Sequence, residues 1–330
     1  MGNQPAAELA RPSQDLGAAR APTSQAGSES IAAAAAATFD LARRAYQEGD
    51  PEARRRAESV LYLFNKDTFF APPSDPVAGV VWSTLMQAKL AALREELGAG
   101  SAEEIDSRAM ETMLLEAVDK WGAFRHPLLD ELDRSGSLEA YRIWAKNWFG
   151  SCQGFSNQLA SLFQRTTDQA RRAVLENLAD ELDGPATHDD LRERFLHSLG
   201  LAHSYEAAIE DEDWVLESTE LLNLRTGLCN LGDPSAALGC FYTVEANWPA
   251  ESRRHHAINK ARGLGDHTVE YWTTHAFADE QHSDAWLESV KSVCHTAAQR
   301  AAVVEGATLQ LRLRWKMYDS IHARVVARAA

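Results

Sequence analysis

Tyr271-Trp-Thr-Thr-His-Ala-Phe-Ala-Asp-Glu-Gln-His282 is the stretch on which the reading of this chain turns. Trp272, His275, Asp279, His282 and, just beyond, Trp286 follow one another at steps of three, four, three and four. Residues so spaced share one face of an α-helix. Two imidazoles and a carboxylate on a seam ended by tryptophans are costly to bury unpaired. A single metal ion would satisfy all three, through two imidazole nitrogens and one carboxylate oxygen. The plain alternative is a solvated helix face, where histidine and aspartate are common.

The same periodicity extends through the chain. Trp82, Met86, Leu90, Leu93 and Leu97 line one face, and Trp144, Trp148, Cys152, Phe155, Leu159 and Leu162 line another. Breaks fall between such runs at Pro72-Pro73, Gly98-Ala99-Gly100, Ser135-Gly136, Gly184-Pro185, Gly232-Asp233-Pro234 and Trp248-Pro249. No alternating strand and no hairpin dipeptide between β-branched residues stands out. The fold class is therefore all-α. The segments expected are a disordered tail over 1–37, an auxiliary helical segment over 38–120 that supports a homodimer, and a bundle of about seven helices over 121–330. The alanine run Ala32–Ala37 is suited to extend the helix that follows it.

Composition narrows the function. Among 330 residues, 33 are Lys or Arg and 48 are Asp or Glu, a formal charge of −15. That balance disfavours nucleic acid and anionic membrane surfaces, which need clustered cations. No apolar run reaches the ~20 residues of a membrane span, and residues 1–30 lack the apolar core of a signal peptide. Met1-Gly2 opens like a myristoylation site, but Ala6 stands where Ser or Thr is required. Cys152, Cys229, Cys240 and Cys294 form no CxxC pair, which argues against a disulfide framework or zinc ribbon and for a cytoplasmic setting. GxGxxG, GxxxxGK, GxSxG and HExxH are all absent, so nothing announces a dinucleotide, a nucleoside triphosphate, a serine hydrolase or a zincin.

Two further clusters accompany the histidine segment. Asn177-Leu-Ala-Asp-Glu181-Leu-Asp-Gly-Pro-Ala-Thr-His188 sets a glutamate near one helix end and a histidine just past a Gly-Pro break that re-aims the chain. Taken alone, such a pair reads as capping. Glu245, in Phe241-Tyr-Thr-Val-Glu-Ala-Asn-Trp-Pro249, shares a helix face with Leu238, Phe241 and Tyr242. Taken alone, it reads as a surface glutamate beside half-buried aromatics.

Together, Glu-x6-His, then Glu with Pro four residues later, then His-x3-Asp-x2-His resembles the haem-oxygenase-like dimetal oxidases and oxygenases. His126-Pro127, the Asn-Leu-x-Asp-Glu run, and Arg314-Trp315 with Tyr318-Asp319 match as well, so the resemblance covers about residues 121–325. It implies a seven-helix haem-oxygenase-like bundle, here with an N-terminal helical appendage, that holds two Fe(II) ions, with manganese as the alternative metal. The metal ligands it implies are Glu181, His188, Glu245, His275, Asp279 and His282. One ion would take Glu181, His188 and His275; the other would take Asp279 and His282, with Glu245 completing or bridging the pair. Ferritin-like di-iron bundles use Glu-x2-His instead, and none of the eleven histidines here has a glutamate three residues before it.

The resemblance further implies O2 as co-substrate and an external reductant, since no flavin or nicotinamide motif is present. The expected reaction is C–H activation of a small aliphatic amino acid, giving desaturation, cyclisation or fragmentation in a specialised-metabolite pathway. N-oxygenation of an amino-acid side chain and fatty-acid oxidative decarboxylation are the alternatives within the family; an acidic helical interaction protein is the non-enzymatic one. Phe241, Tyr242, Arg312 and Arg314 are the candidate substrate contacts. Asp319-x2-His322 lacks a third ligand, and adjacent His255 and His256 point about a hundred degrees apart, which suits hydration better than chelation.

Overall fold

Side-chain caps and prolines set many of the helix starts in the computed structural model, which describes residues 25–99, 105–201 and 212–329, the side chains of 25–31, 168, 277–281 and 329 aside. Asp50 accepts hydrogen bonds from the Glu52 and Ala53 amides, and Pro51 fills the first helical position, where a missing N–H costs nothing. Ser137, Thr187 and Asp233 cap later helices in the same way. Among the described residues every regular element is helical.

The chain divides into two compact units, Met1–Ala92 and Leu93–Ala330. The first contains α1 (Gln25–Tyr46), α2 (Pro51–Asp67) and most of α3 (Pro76–Glu96). Its interior is apolar, with Leu61, Tyr62, Trp82, Leu85 and Met86 buried, but it also encloses an ion pair. Lys89 Nζ lies 2.6 Å from Glu58 Oε1, and the Tyr46 hydroxyl donates to the same oxygen. The expected tail over 1–37 meets α1 at Gln25, so the alanine run is helical; residues 1–24 lie outside the described residues.

The second unit begins earlier than residue 121. It takes in α4 (Ser107–Trp121), which packs on the last helix through buried Met110 and Leu114. There follow α5 (Pro127–Ser135), α6 (Leu138–Cys152), α7 (Phe155–Arg165), α8 (Asp168–Leu182), α9 (His188–Ser198), α10 (Leu216–Asn230), α11 (Pro234–Ala261), α12 (Asp266–Val293) and α13 (Ala297–Ala329). The stripe Trp144–Leu162 crosses from α6 into α7 through a break at Gln153-Gly154.

Three long helices form the frame, with α11 packed against both α12 and α13. Two glycines let α11 and α13 meet backbone to backbone. A Cβ on Gly239 would lie 2.0 Å from the Val303 carbonyl oxygen, and one on Gly306 would lie 1.8 Å from that of Ala236. Trp144, Trp148 and Trp272 are fully buried where α6 meets α12. Among the described residues, no helix is long and apolar enough to cross a membrane.

Candidate metal centre

Glu181 sits in the last turn of α8 and His188 opens α9. Between them Gly184, at φ 90°, takes a backbone conformation that side-chain-bearing residues avoid, and Pro185 stops the helix from resuming at once. Thr187 then caps α9 in a reciprocal capping box with Asp190. This tight reversal brings His188 Nδ1 within 3.0 Å of Glu181 Oε1.

α12 supplies the third donor, His275. Its ring lies 4.4 Å from that of His188, centroid to centroid, and 4.1 Å from Tyr271. One donor atom from each of Glu181, His188 and His275 falls within 4.8 Å of the others, so these three could hold a metal ion. Burial, with the His188 imidazole beside it, holds His275 well below the usual histidine range, which keeps the ring neutral as a metal ligand must be. His275 Nδ1 lies 2.8 Å from the Tyr271 carbonyl oxygen; donation there turns the lone pair to Nε2, on the other side of the ring. Both imidazoles are more than nine-tenths buried. A neutral-imidazole and carboxylate donor set of this kind suits iron.

A second group adjoins the first. His282, two turns along α12, has Nδ1 3.4 Å from Glu245 Oε2 and Nε2 2.6 Å from Asp180 Oδ2. Glu245 is buried on α11, four residues before Pro249. Proline has no N–H, so the Glu245 carbonyl loses its helical partner and the helix is weakened at the carboxylate that faces His282. The Asp279 side chain lies outside the described residues. Asp180 was not singled out from the sequence; its signal was its place one residue before Glu181, with no claim of its own on a helix face.

Glu181, His188, Glu245 and His275 line one cavity with about 40 Å³ of room for the centre of a water-sized sphere. Of the four expected substrate contacts, Arg314 lines this cavity. Phe241 packs against Phe155, which does line it, and against Trp286. Tyr242 is buried, and burial pushes its hydroxyl up to about 12. Arg312 is engaged elsewhere, bonding the Leu97 carbonyl and stacking on Trp121. Two other arginines, Arg192 and Arg225, do reach the cavity wall. Arg225 lies on α10, which is buried on every side from Ser218 to Cys229, so its guanidinium has no solvent face to reach.

The remaining motif residues find structural roles. His126 caps α5 through Nδ1, faces Asp319 at 3.2 Å through Nε2, and packs on Trp315 and Tyr318. His255, expected to be hydrated, is fully buried: its ring stacks on Trp144 at 3.9 Å and faces the Tyr141 hydroxyl at 2.9 Å.

Residues 142–315 match the family model described as iron-containing redox enzyme. A 4-aminobenzoate synthase of Chlamydia pneumoniae is 27% identical over 221 residues, 63% of this chain and 95% of the relative. That of Chlamydia trachomatis serovar D is 27% identical over 154 residues, 44% of this chain and 63% of the relative. A haem-oxygenase-like domain of unknown function from Shewanella denitrificans superimposes with a TM-score of 0.55 at 16% identity, covering 69% of this chain and 97% of that one. A TenA homologue from Pseudomonas syringae pv. tomato gives the same TM-score and the same coverage at 15% identity. A reversal that joins Glu181 to His188, a helix that lays His275 beside them, and a family match spanning all three give one answer: this all-α, haem-oxygenase-like chain is an oxidoreductase belonging to the iron-containing redox enzyme family.

Proposed function

We propose that the chain is an O2-dependent non-haem di-iron oxidase or oxygenase of small amino-carboxylate compounds. Glu181, His188 and His275 would hold one iron, and His282, Glu245 and Asp279 the other. The observation that carries this reading is the convergence of two buried imidazoles and a part-buried carboxylate, from three helices, on one cavity. Bound ferrous ions would supply the open positions for dioxygen and the first electrons, the rest coming from an external reductant.

The residues of the chain do the remaining work. Tyr271 fixes the His275 tautomer through its carbonyl. Trp248, Tyr271 and Phe155 line the cavity with rings that keep bulk water from the reacting bond. The small volume holds a substrate close to the donors, so orientation rather than acid–base chemistry is the main contribution of the protein.

Similarity across nearly the full length of a 4-aminobenzoate synthase supports formation of 4-aminobenzoate as the specific activity. The narrow cavity supports a second reading, C–H oxidation of a small aliphatic amino acid, and speaks against a long acyl chain. The test is to strip the protein of metal, titrate it anaerobically with ferrous ion, count the ions bound, and then admit oxygen and reductant with a panel of amino acids. Uptake of two ions and 4-aminobenzoate in the products is the expected result. An alkene or cyclic amine from an aliphatic amino acid would select the second reading, and failure to take up iron would overturn both.

A further inference from the structure

We infer that Arg225 anchors the carboxylate of a small ligand in the cavity beside Glu181, His188 and His275. The inference rests on that cavity being where substrate binds, and it names the group by which substrate is held.

Arg225 is 3% exposed, on a helix with no face to solvent. Among the described residues its guanidinium makes one hydrogen bond, from Nη2 to the Ser151 carbonyl. Its Nε is buried without a partner. Arginine cannot shed its charge as a buried lysine can, so the positive charge persists and needs an anion.

No described anion serves it. Glu251 pairs with Arg314 at 2.8 Å, Asp189 with Arg192 at 2.5 Å, Glu181 with His188, and Glu245 with His282. The nearby thiols Cys229 and Cys240 are held neutral by burial, the latter pushed up to about 12. A buried cation left bare is among the costliest arrangements in a protein, and this one stands on the wall of the cavity.

The missing partner has a definite chemistry. A guanidinium offers parallel N–H groups that match the two oxygens of a carboxylate. Gln310, on the same wall, accepts from Cys240 Sγ through Oε1, which leaves its amide N–H groups as further donors. One uncompensated cation calls for one negative charge. A small monocarboxylate, such as an amino acid presents, meets these conditions; a nucleotide does not.

The test is thermal unfolding of the full-length protein, metal-depleted and anaerobically ferrous-loaded, with acetate against acetamide at constant ionic strength. Acetate should raise the melting temperature of both forms and acetamide should not. In Arg225→Met the acetate affinity should fall about ten- to a hundredfold, the worth of a hydrogen-bonded charge, without loss of iron uptake. The variant itself should be no less stable, because an unpaired buried charge has been removed. Should it fail to fold, Arg225→Gln serves, and the wild-type comparison stands without either. Equal response to acetate and acetamide, no response to either, or an acetate response kept in the variant and lost in Arg314→Met would each overturn the assignment. A response confined to the loaded form and unaffected by the variant would place the carboxylate on the metal, and would overturn it too. Absence of iron uptake with the acetate response intact would sink the di-iron reading and leave this one standing.

Discussion

Two buried polar constellations share helix α11, and they are put together in opposite ways. Around Glu251 the charges are closed off. Its Oε2 faces Arg314 at 2.8 Å and accepts from Asn247 at 3.0 Å, while its Oε1 accepts from the Tyr318 hydroxyl. His255, Tyr141 and Asn259 continue the network, and Trp144 joins it through Tyr318. Around Glu181, His188 and His275 the donors converge on one another, and Glu181 pairs with His188 rather than with the arginines that share the cavity wall. The Glu251 carboxylate has its lone pairs taken up by Arg314, Asn247 and Tyr318, whereas Glu181, facing one imidazole, keeps some for a metal. Both regions hold glutamate and histidine in the interior, so residue type alone does not separate scaffold from site. The counter-charge does.

The largest effect should come from breaking the closed network. Glu251→Ala leaves Arg314 buried with its charge uncompensated, and urea denaturation of the metal-free protein should show a loss of about 3–5 kcal/mol. Iron affinity, measured on whatever remains folded, should change little. His275→Ala should do the reverse. Iron affinity should drop by more than about a hundredfold, since even orienting partners of ligands are worth ten- to a hundredfold. The stability of the metal-free protein should fall by only about 1–3 kcal/mol, for a lost ring contact. If Glu251→Ala abolished iron uptake in folded protein, the two constellations would be one.

A pH profile sharpens the same contrast. Burial holds His255 below its ordinary 6.5, so the folded protein keeps the ring neutral while the unfolded chain takes up a proton. Stability from this group is full above pH 6.5 and is lost as pH falls towards the depressed folded value. Burial would raise Glu251, but Arg314, His255 and Tyr318 outweigh it and hold the carboxyl below 4.5, so its contribution is lost only in stronger acid. Stability of the metal-free protein should therefore begin to fall near pH 6.5, with a second loss below 4.5. In His255→Gln the first limb should become shallower, with buried His275 still contributing to it, and the second remain, as followed by urea midpoints across pH.

Much of the site was legible in the chain because helical spacing reports which residues share a face. Spacing alone put His275 and His282 on one stripe, while Glu181 and His188 across a Gly-Pro break read as capping until the resemblance joined them. Spacing does not report which faces meet. His255 looked like a hydrated neighbour of His256 because nothing local marks the indole of Trp144 that covers it. Arg312 and Arg225 show the same limit. The first lay in a tempting run of cations yet is engaged by the Leu97 carbonyl, and the second, in a helix buried on every side, faces the cavity. The unit boundary escaped for a similar reason, since α4 joins the second unit through packing on α13 that the Gly98-Ala99-Gly100 break does not advertise.

The smallest effect, and the finest test, concerns Asp180. It is half-exposed, and its 2.6 Å contact with His282 Nε2 should add only about 0–1 kcal/mol to stability, as surface ion pairs do. Its consequence lies in orientation: with Nε2 held by Asp180, His282 keeps Nδ1 towards Glu245. Asp180→Asn retains an oxygen acceptor and loses the charge, so the ring should stay placed but become less basic. Affinity for the second ion should fall about tenfold, the lower end for a partner that orients a ligand, while the first ion at Glu181, His188 and His275 is unaffected. A chelator competition resolving two binding steps would show one step shifted and one fixed. Equal weakening of both steps would mean that Asp180 acts on the whole cavity through α8, and that the two donor groups load as one.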